Sequence, residues 1–197
     1  MQRAEAALSC SLGVRVHLAR VTEPLSPSVL SPGEAVQCCA RRPGQPRRDW
    51  LLGRAALRAV IGDGDDTSDL SFPSPTLSLT HAGGIAVAVR TDEVVGGIGV
   101  DFEPRRPGTD PRIARFFLNE TERAAATGPA ALLRLWTIKE ALYKATPDNG
   151  SYVLADLELA DPCEAHGDAV GRRGETLRYA AIDALGGHLA VAVCGGA

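Results

Sequence analysis

Two pairs of similar segments, with one member in each half of the chain, constrain the fold most strongly. WLLGRAALRA at 50–59 aligns without gaps on WTIKEALYKA at 136–145, and GGIAVAV at 83–89 resembles GGHLAVAV at 186–193 with one residue inserted. Segments repeated in the same order predict a duplicated unit, although coincidence between alanine- and valine-rich segments is the alternative. A duplicated unit predicts a pseudo-dimer of two similar α/β halves, with a functional site between them.

Local patterns predict both helices and strands, and therefore an α+β fold. Helices are expected over 47–60 and 130–145, and Asn119 followed by Glu122 is typical of a capping box that opens a third helix. The intervening stretch 62–75 is polar and contains prolines, which predicts a loop. Strand-like segments lie at 12–18, 85–89, 97–102, 152–159, 176–182 and 188–193.

Composition narrows the class of protein. With 21 basic and 24 acidic residues the net charge is −3, which gives no support to general binding of nucleic acid or membrane surfaces. No apolar run approaches the ~20 residues of a membrane span, and the opening MQRAEAALSC carries charges where a signal peptide needs an apolar run. Five cysteines without a CxxC pair fit reduced thiols better than disulfides or zinc. We therefore expect a soluble, cytoplasmic protein.

Two carboxylates follow a strand that is otherwise apolar. Asp101 and Glu103 in GIGVDFEP are two residues apart, so their side chains project from the same face of the strand. Neighbouring carboxylates repel each other and require a cation or a shared proton. Gly97 and Gly99 would let another backbone or a ligand approach this strand closely.

Glu140 provides a third carboxylate on the predicted helix 130–145. The simplest interpretation is an exposed ion pair with Lys144, one turn later. Together with Asp101 and Glu103, however, Glu140 would complete an oxygen-only ligand set of the kind that Mg²⁺ prefers, with Mn²⁺ possible and zinc disfavoured. Lys139 and Lys144 are also the only lysines among the 21 basic residues, which suggests that this helix needs an ammonium group.

Four motifs in order, SLTHAGG, GIGVDFEP, FLNETE and WTIKEALYKA, resemble the motif series of the 4′-phosphopantetheinyl transferases. The resemblance is to the larger, pseudo-dimeric type that includes the surfactin-synthetase activator, and it extends from about Ser31 to Asp156. It implies Mg²⁺-dependent transfer of the 4′-phosphopantetheine arm of coenzyme A to a serine of an apo acyl or peptidyl carrier protein, which releases 3′,5′-ADP. It also implies a coenzyme A-binding half at 1–96, a metal-binding and catalytic half at 97–197, and a monomer.

The resemblance assigns the catalytic roles. Asp101, Glu103 and Glu140 match the metal ligands, and Glu140 belongs to the catalytic set as well. Glu122 matches the glutamate that is proposed to take the proton of the incoming serine, with its capping-box role as an equal alternative. Lys144 matches the lysine beside the pyrophosphate. Lys139 either supports the same phosphates or is solvated.

Coenzyme A binding is assigned to the first half of the chain. His81 matches the histidine at the 3′-phosphate, Thr80 offers a hydroxyl beside it, and a structural histidine is the alternative. Arg54 falls where relatives carry a phosphate-binding arginine, with Arg47 or Arg48 earlier on the helix, and an exposed basic helix face is the competing interpretation.

Some positions depart from the family pattern. The stretch DLSFPSPTL lacks the Gly-Lys-Pro that often precedes the histidine motif, and Glu34 and Gln37 stand where some relatives have lysines. Arg41 and Arg42 could substitute for these lysines. A relative that binds coenzyme A or a carrier without transfer, and an Mg²⁺-dependent hydrolase of nucleotide pyrophosphates, therefore remain alternatives.

The expected carrier protein is small, acidic and helical, and it should dock through charge and a hydrophobic patch. The arginines between the metal strand and Glu122 are the candidate contact, with an ordinary solvated loop as the alternative. They are Arg105, Arg106, Arg112 and Arg115.

Overall fold

The computed structural model describes residues 1–62, 65–105 and 110–195. Within these ranges the helices are α1 (Gln2–Leu12), α2 (Pro32–Cys39), α3 (Gln45–Ile61), α4 (Glu120–Ala125) and α5 (Pro129–Ala145). The strands are β1 (Val16–Val21), β2 (Leu77–Ala82), β3 (Ile85–Thr91), β4 (Gly97–Pro104), β5 (Leu157–Leu159), β6 (His166–Gly171), β7 (Thr176–Ala184) and β8 (Gly187–Cys194). The predicted α+β fold is confirmed.

The strands form two antiparallel sheets that share one arrangement. The first has the order β1-β3-β2, and the second has the order β4-β8-β7-β6-β5. Helix α3 packs on the first sheet and α5 on the second. In the first half, β1, α3, β2 and β3 occur in this order along the chain, and the strands lie in the sheet order β1-β3-β2. In the second half, β4, α5, β7 and β8 occur in this order, and the strands lie in the sheet order β4-β8-β7. The two halves therefore share the arrangement that a duplicated unit predicts. Strands β5 and β6 are additions to the second sheet.

The two sheets meet along β2 and β4. The Val100 amide donates to the Ser78 hydroxyl oxygen over 3.1 Å, and the Ile98 amide donates to the Ser74 carbonyl over 3.0 Å. Val100 belongs to a buried apolar cluster that also contains Val87 and Val89 of β3. Burial of this shared apolar surface stabilises the junction and holds the ends of β2 and β4 together.

Two glycines of β4 let α5 approach the strand. A Cβ atom at Gly99 would overlap the carbonyl oxygen of Ala141 and lie 2.6 Å from the backbone nitrogen of Ala145. A Cβ atom at Gly97 would likewise overlap the backbone of Ala145. The close approach that the sequence predicts at these glycines is thus confirmed, and the approaching backbone is that of α5. This close contact between α5 and β4 fixes the position of Glu140 along the strand.

The three predicted helices are confirmed as α3, α4 and α5, but two predicted strands need correction. The segment 12–18 is not a strand throughout, because α1 continues to Leu12 and Gly13 ends it with a φ of 71°. The segment 152–159 is a strand only at Leu157–Leu159, since a 3₁₀ turn precedes it. Strands β2 and β6 were not predicted. Within the described ranges, no helix combines the length and the apolarity needed to cross a membrane.

Candidate active site

A cavity of about 520 Å³ lies where β2, β4 and α5 converge. Strand β2 contributes Thr80 and His81, strand β4 contributes Asp101 and Glu103, and α5 contributes residues one turn apart. These helix residues are Trp136, Glu140 and Lys144. The structure therefore brings together most of the predicted site residues, including all three predicted metal ligands.

Asp101 is the most buried of the acidic residues at this cavity, with 5% of its surface exposed. Its Oδ1 atom accepts hydrogen bonds from the Thr80 hydroxyl at 2.9 Å and from the Lys144 ammonium at 2.7 Å. Its Oδ2 atom is buried and has no hydrogen-bond partner. A buried carboxylate oxygen without a donor is costly, so this oxygen indicates room for a cation.

Lys144 pairs with Asp101 on the neighbouring strand. Its ammonium lies within reach of the Asp101 carboxylate and the Val100 carbonyl, so an exposed pair with Glu140 does not by itself describe Lys144, although its charge also acts on Glu140. The Lys144 side chain remains 28% exposed. The ammonium is thus held at the cavity and is still accessible to a ligand.

The other two carboxylates interact with groups on or near α5. Glu103 Oε1 accepts a hydrogen bond from the Trp136 indole nitrogen at 3.2 Å. Burial raises the pKa of Glu140, and the nearby Asp101 and Glu103 charges raise that pKa further, although Lys144 opposes them. A divalent cation among these carboxylates would relieve the repulsion.

The donor set favours a hydrated cation over a closed metal site. Among residues 1–62, 65–105 and 110–195, no three His, Cys, Asp or Glu side chains form a group that could hold a metal ion. Mg²⁺ typically keeps several waters and takes only one or two carboxylates together with substrate phosphates, so it does not need a preformed protein cage. The unpartnered oxygen of Asp101 and the repulsion felt by Glu140 fit such an ion.

Glu122 and Lys139 form a buried ion pair instead of facing the cavity. Both side chains are 0% exposed, and the ammonium lies 2.6 Å from Glu122 Oε1. The same oxygen accepts a hydrogen bond from the Leu159 amide, and Oε2 accepts one from the Asn119 amide. Lys139 also donates to the Leu157 carbonyl.

The burial of Glu122 and Lys139 decides between the roles predicted for these two residues. The capping box of Asn119 and Glu122 is confirmed. The alternative that Lys139 is solvated is wrong, because its side chain is fully enclosed. The geometry gives no support to proton transfer by Glu122 or phosphate binding by Lys139, since neither lines the cavity.

The two arginines of α3 that were predicted to bind phosphate contact other groups of the protein. Arg54 donates to the Thr67 carbonyl at 2.6 Å and lies over the Trp50 ring, 4.8 Å from its centroid. Arg47 donates to the Arg41 carbonyl at 3.0 Å. Neither side chain lines the cavity that contains Asp101, Glu103 and Glu140, which we call the acidic cavity.

A second cavity, of about 600 Å³, adjoins the first at His81. Arg41, Arg42 and Trp50 line it together with Asp49, so two arginines and an aromatic ring outnumber the carboxylate in this lining. Trp50 Nε1 is a buried donor atom without an acceptor. This second cavity, which we call the arginine cavity, therefore offers guanidinium and indole donors suited to an oxyanion.

Glu34 explains one departure from the family pattern. Its carboxylate is fully buried at the start of α2, where it pairs with Arg58 and accepts a hydrogen bond from the Thr67 hydroxyl at 2.6 Å. Burial opposes ionisation of Glu34, but these hydrogen bonds outweigh it and lower the pKa. The position therefore anchors a loop and is closed to ligands.

Residues 97–194 match the family model of the 4′-phosphopantetheinyl transferase superfamily. The matched range runs from β4 to β8 and includes α5, so it contains Asp101, Glu103, Glu140 and Lys144. The match supports a transferase, and phosphopantetheinyl transfer as its general chemistry. A search of curated proteins found no match to the chain.

Proposed function

We propose that this protein transfers the 4′-phosphopantetheine arm of coenzyme A to a serine hydroxyl of an apo acyl or peptidyl carrier protein and releases 3′,5′-ADP. The observation that carries the proposal is the meeting of the acidic cavity and the arginine cavity at His81. Coenzyme A carries a pyrophosphate and a separate ribose phosphate. A cation site beside an arginine site matches these two groups.

The arginine cavity would receive the 3′-phosphate end of coenzyme A. Guanidinium groups bind phosphate through paired hydrogen bonds, and Arg41 and Arg42 supply them at the positions suggested as substitutes for the missing lysines. His81 lines both cavities and is exposed, so it can contact this phosphate. Thr80 is better explained as a donor to Asp101 than as a contact to coenzyme A.

The acidic cavity would hold hydrated Mg²⁺ among Asp101, Glu103 and Glu140, with one or two of these carboxylates bound to the ion directly. When bound, the ion would neutralise charge on the pyrophosphate and stabilise the charge that develops during transfer. The serine hydroxyl loses its proton to solvent and its oxygen forms a bond to the β-phosphorus, as the bond between that phosphorus and the bridging oxygen of the departing 3′,5′-ADP breaks. Lys144 would stabilise the departing oxygen, and the partial exposure of its side chain at the cavity supports this role.

A basic and aromatic surface on the segment before α4 fits an acidic carrier protein. Arg112 pairs with Asp110 and is 85% exposed in its side chain, and Arg115 lies over the ring of Phe116, which is itself 67% exposed. Arg105 likewise pairs with Asp183, and Arg106 lies outside the described residues. Arg112 and Arg115 with Phe116 therefore supply the charge and apolar surface that such a partner would require.

Replacement of Arg112 and Arg115 by Glu tests the docking surface. The double variant should raise KM for the carrier protein by at least about tenfold while KM for coenzyme A stays constant, because rim charges act on encounter with the partner. Arg173→Glu, which changes an exposed arginine on another edge, is the matched control. A selective rise in KM for coenzyme A would contradict this assignment.

The release of 3′,5′-ADP tests the reaction against its alternatives. Chromatography of coenzyme A incubations with and without an apo carrier should show ADP only when carrier and Mg²⁺ are both present. Breakdown of coenzyme A without carrier would favour a nucleotide pyrophosphate hydrolase. Binding of coenzyme A without ADP release, across several carriers, would favour a relative that binds without transfer.

A further inference from the structure

Trp136 joins α5 to one of the proposed metal ligands. Its indole N–H donates to Glu103 Oε1 over 3.2 Å, and its ring lines the same cavity. Trp136 precedes Glu140 by four residues on α5, so both side chains lie on one face of the helix. One helix face therefore presents one carboxylate to the cavity and contacts a second carboxylate on β4.

The direction of this hydrogen bond is fixed by packing. The Trp136 ring meets Phe117 edge to face, with centroids 5.0 Å apart and an interplanar angle of 86°. Phe117 is 1% exposed and belongs to the apolar cluster beneath α5. The indole consequently has little freedom to turn, and its N–H stays directed at Glu103.

The corresponding tryptophan in the first half lacks this contact. Trp50 aligns with Trp136 in the echoed segments, but Trp50 Nε1 has no hydrogen-bond partner and its ring lies beneath Arg41 and Arg54. A tryptophan at this position of the helix therefore packs well without donating to a carboxylate. The contact to Glu103 is specific to the half that carries the acidic residues.

We infer that Trp136 is a positioning residue that holds the Glu103 carboxylate for the cation. The inference rests on the proposed function, because it assumes that Glu103 is a metal ligand. The indole N–H is a neutral donor, so it orients the carboxylate without competing for the cation as an ammonium would. Loss of a hydrogen bond to a metal-binding carboxylate typically weakens metal affinity about 10- to 100-fold.

The test measures metal binding directly, without turnover. Mn²⁺ binding to the purified protein, followed by electron paramagnetic resonance, should show Kd at least about tenfold higher for Trp136→Phe than for the parent. Phenylalanine keeps a ring against Phe117 and removes the donor, and thermal melting in EDTA checks that the variant folds. In a Glu103→Gln background the same change should raise Kd no further, because Trp136 acts through Glu103.

The outcomes separate this inference from the proposed function. An unchanged Mn²⁺ affinity in a folded Trp136→Phe variant would overturn the positioning role and leave the metal site intact. A further tenfold loss in the Glu103→Gln background would also overturn it, because Trp136 would then act through another group. If Asp101→Asn does not alter Mn²⁺ binding by the parent, the proposed metal site itself fails.

Discussion

The buried pair of Glu122 and Lys139 offers the sharpest prediction about stability. Glu122→Gln would leave the fully enclosed Lys139 ammonium without its direct partner, with only the smaller attraction of Glu158 remaining. Removal of one partner from a buried ion pair typically costs about 3–5 kcal/mol, because the remaining charge stays desolvated. Burial already lowers the pKa of Lys139 and Glu122 opposes this, so the variant should favour the neutral amine.

Urea denaturation measures this cost. We expect Glu122→Gln and Lys139→Met each to lower the free energy of unfolding by about 3–5 kcal/mol. The double variant should lose much less than the sum, because it leaves neither charge uncompensated. Single effects below about 1 kcal/mol, or additive effects, would refute the reasoning.

The same variant distinguishes a structural glutamate from a general base. If Glu122 serves only the ion pair and the helix cap, the folded fraction of Glu122→Gln should keep the parent pH dependence of kcat. A general base would instead lose about 10²- to 10⁴-fold in kcat, together with the corresponding limb of the pH profile. Activity is therefore compared at a temperature where circular dichroism shows both proteins folded.

Two further changes test the packing of α5 and the burial of a tyrosine. Gly99→Ala should lower the free energy of unfolding in urea by about 1–3 kcal/mol and weaken Mn²⁺ binding, because the new Cβ atom displaces α5 from β4. The control Gly150→Ala should be nearly neutral, because a Cβ atom there meets no neighbouring atom. Burial raises the pKa of Tyr179 to about 12. Because an unfolded tyrosine ionises near pH 10, stability should fall by up to about 2–3 kcal/mol between pH 10 and 12. Tyr179→Phe should reduce that loss, and equal pH slopes for both proteins would contradict it.

The acidic cavity could be predicted from the sequence because its residues follow simple periodicities. Asp101 and Glu103 are two apart on a strand, while Glu140 and Lys144 are four apart on a helix, so each pair shares a face. The glycines of β4 also signalled the close approach of α5. The contacts of Asp101 with Lys144 and Thr80, and the hydrogen bond from Trp136 to Glu103, required the structure, since each joins two distant segments.

The buried polar groups could not be predicted in the same way. A sequence does not distinguish a lysine enclosed with Glu122 from one directed at solvent, because both suit a helix of mixed composition. Likewise, the contacts of Arg54 with Thr67 depend on the path of a loop. The hydrogen-bonding difference between Trp50 and Trp136 arises only from the strand that faces each helix.

The most direct test of the central claim is intact-mass analysis of a purified apo carrier protein incubated with this protein, coenzyme A and Mg²⁺. We predict a gain of one phosphopantetheine group on the carrier, which is abolished by EDTA and by Glu140→Gln. Glu140 lines the cavity with Asp101 and Glu103, so the neutral amide of Glu140→Gln should disable the proposed metal site. Unmodified carriers of every type, or full transfer by Glu140→Gln in EDTA, would contradict the account.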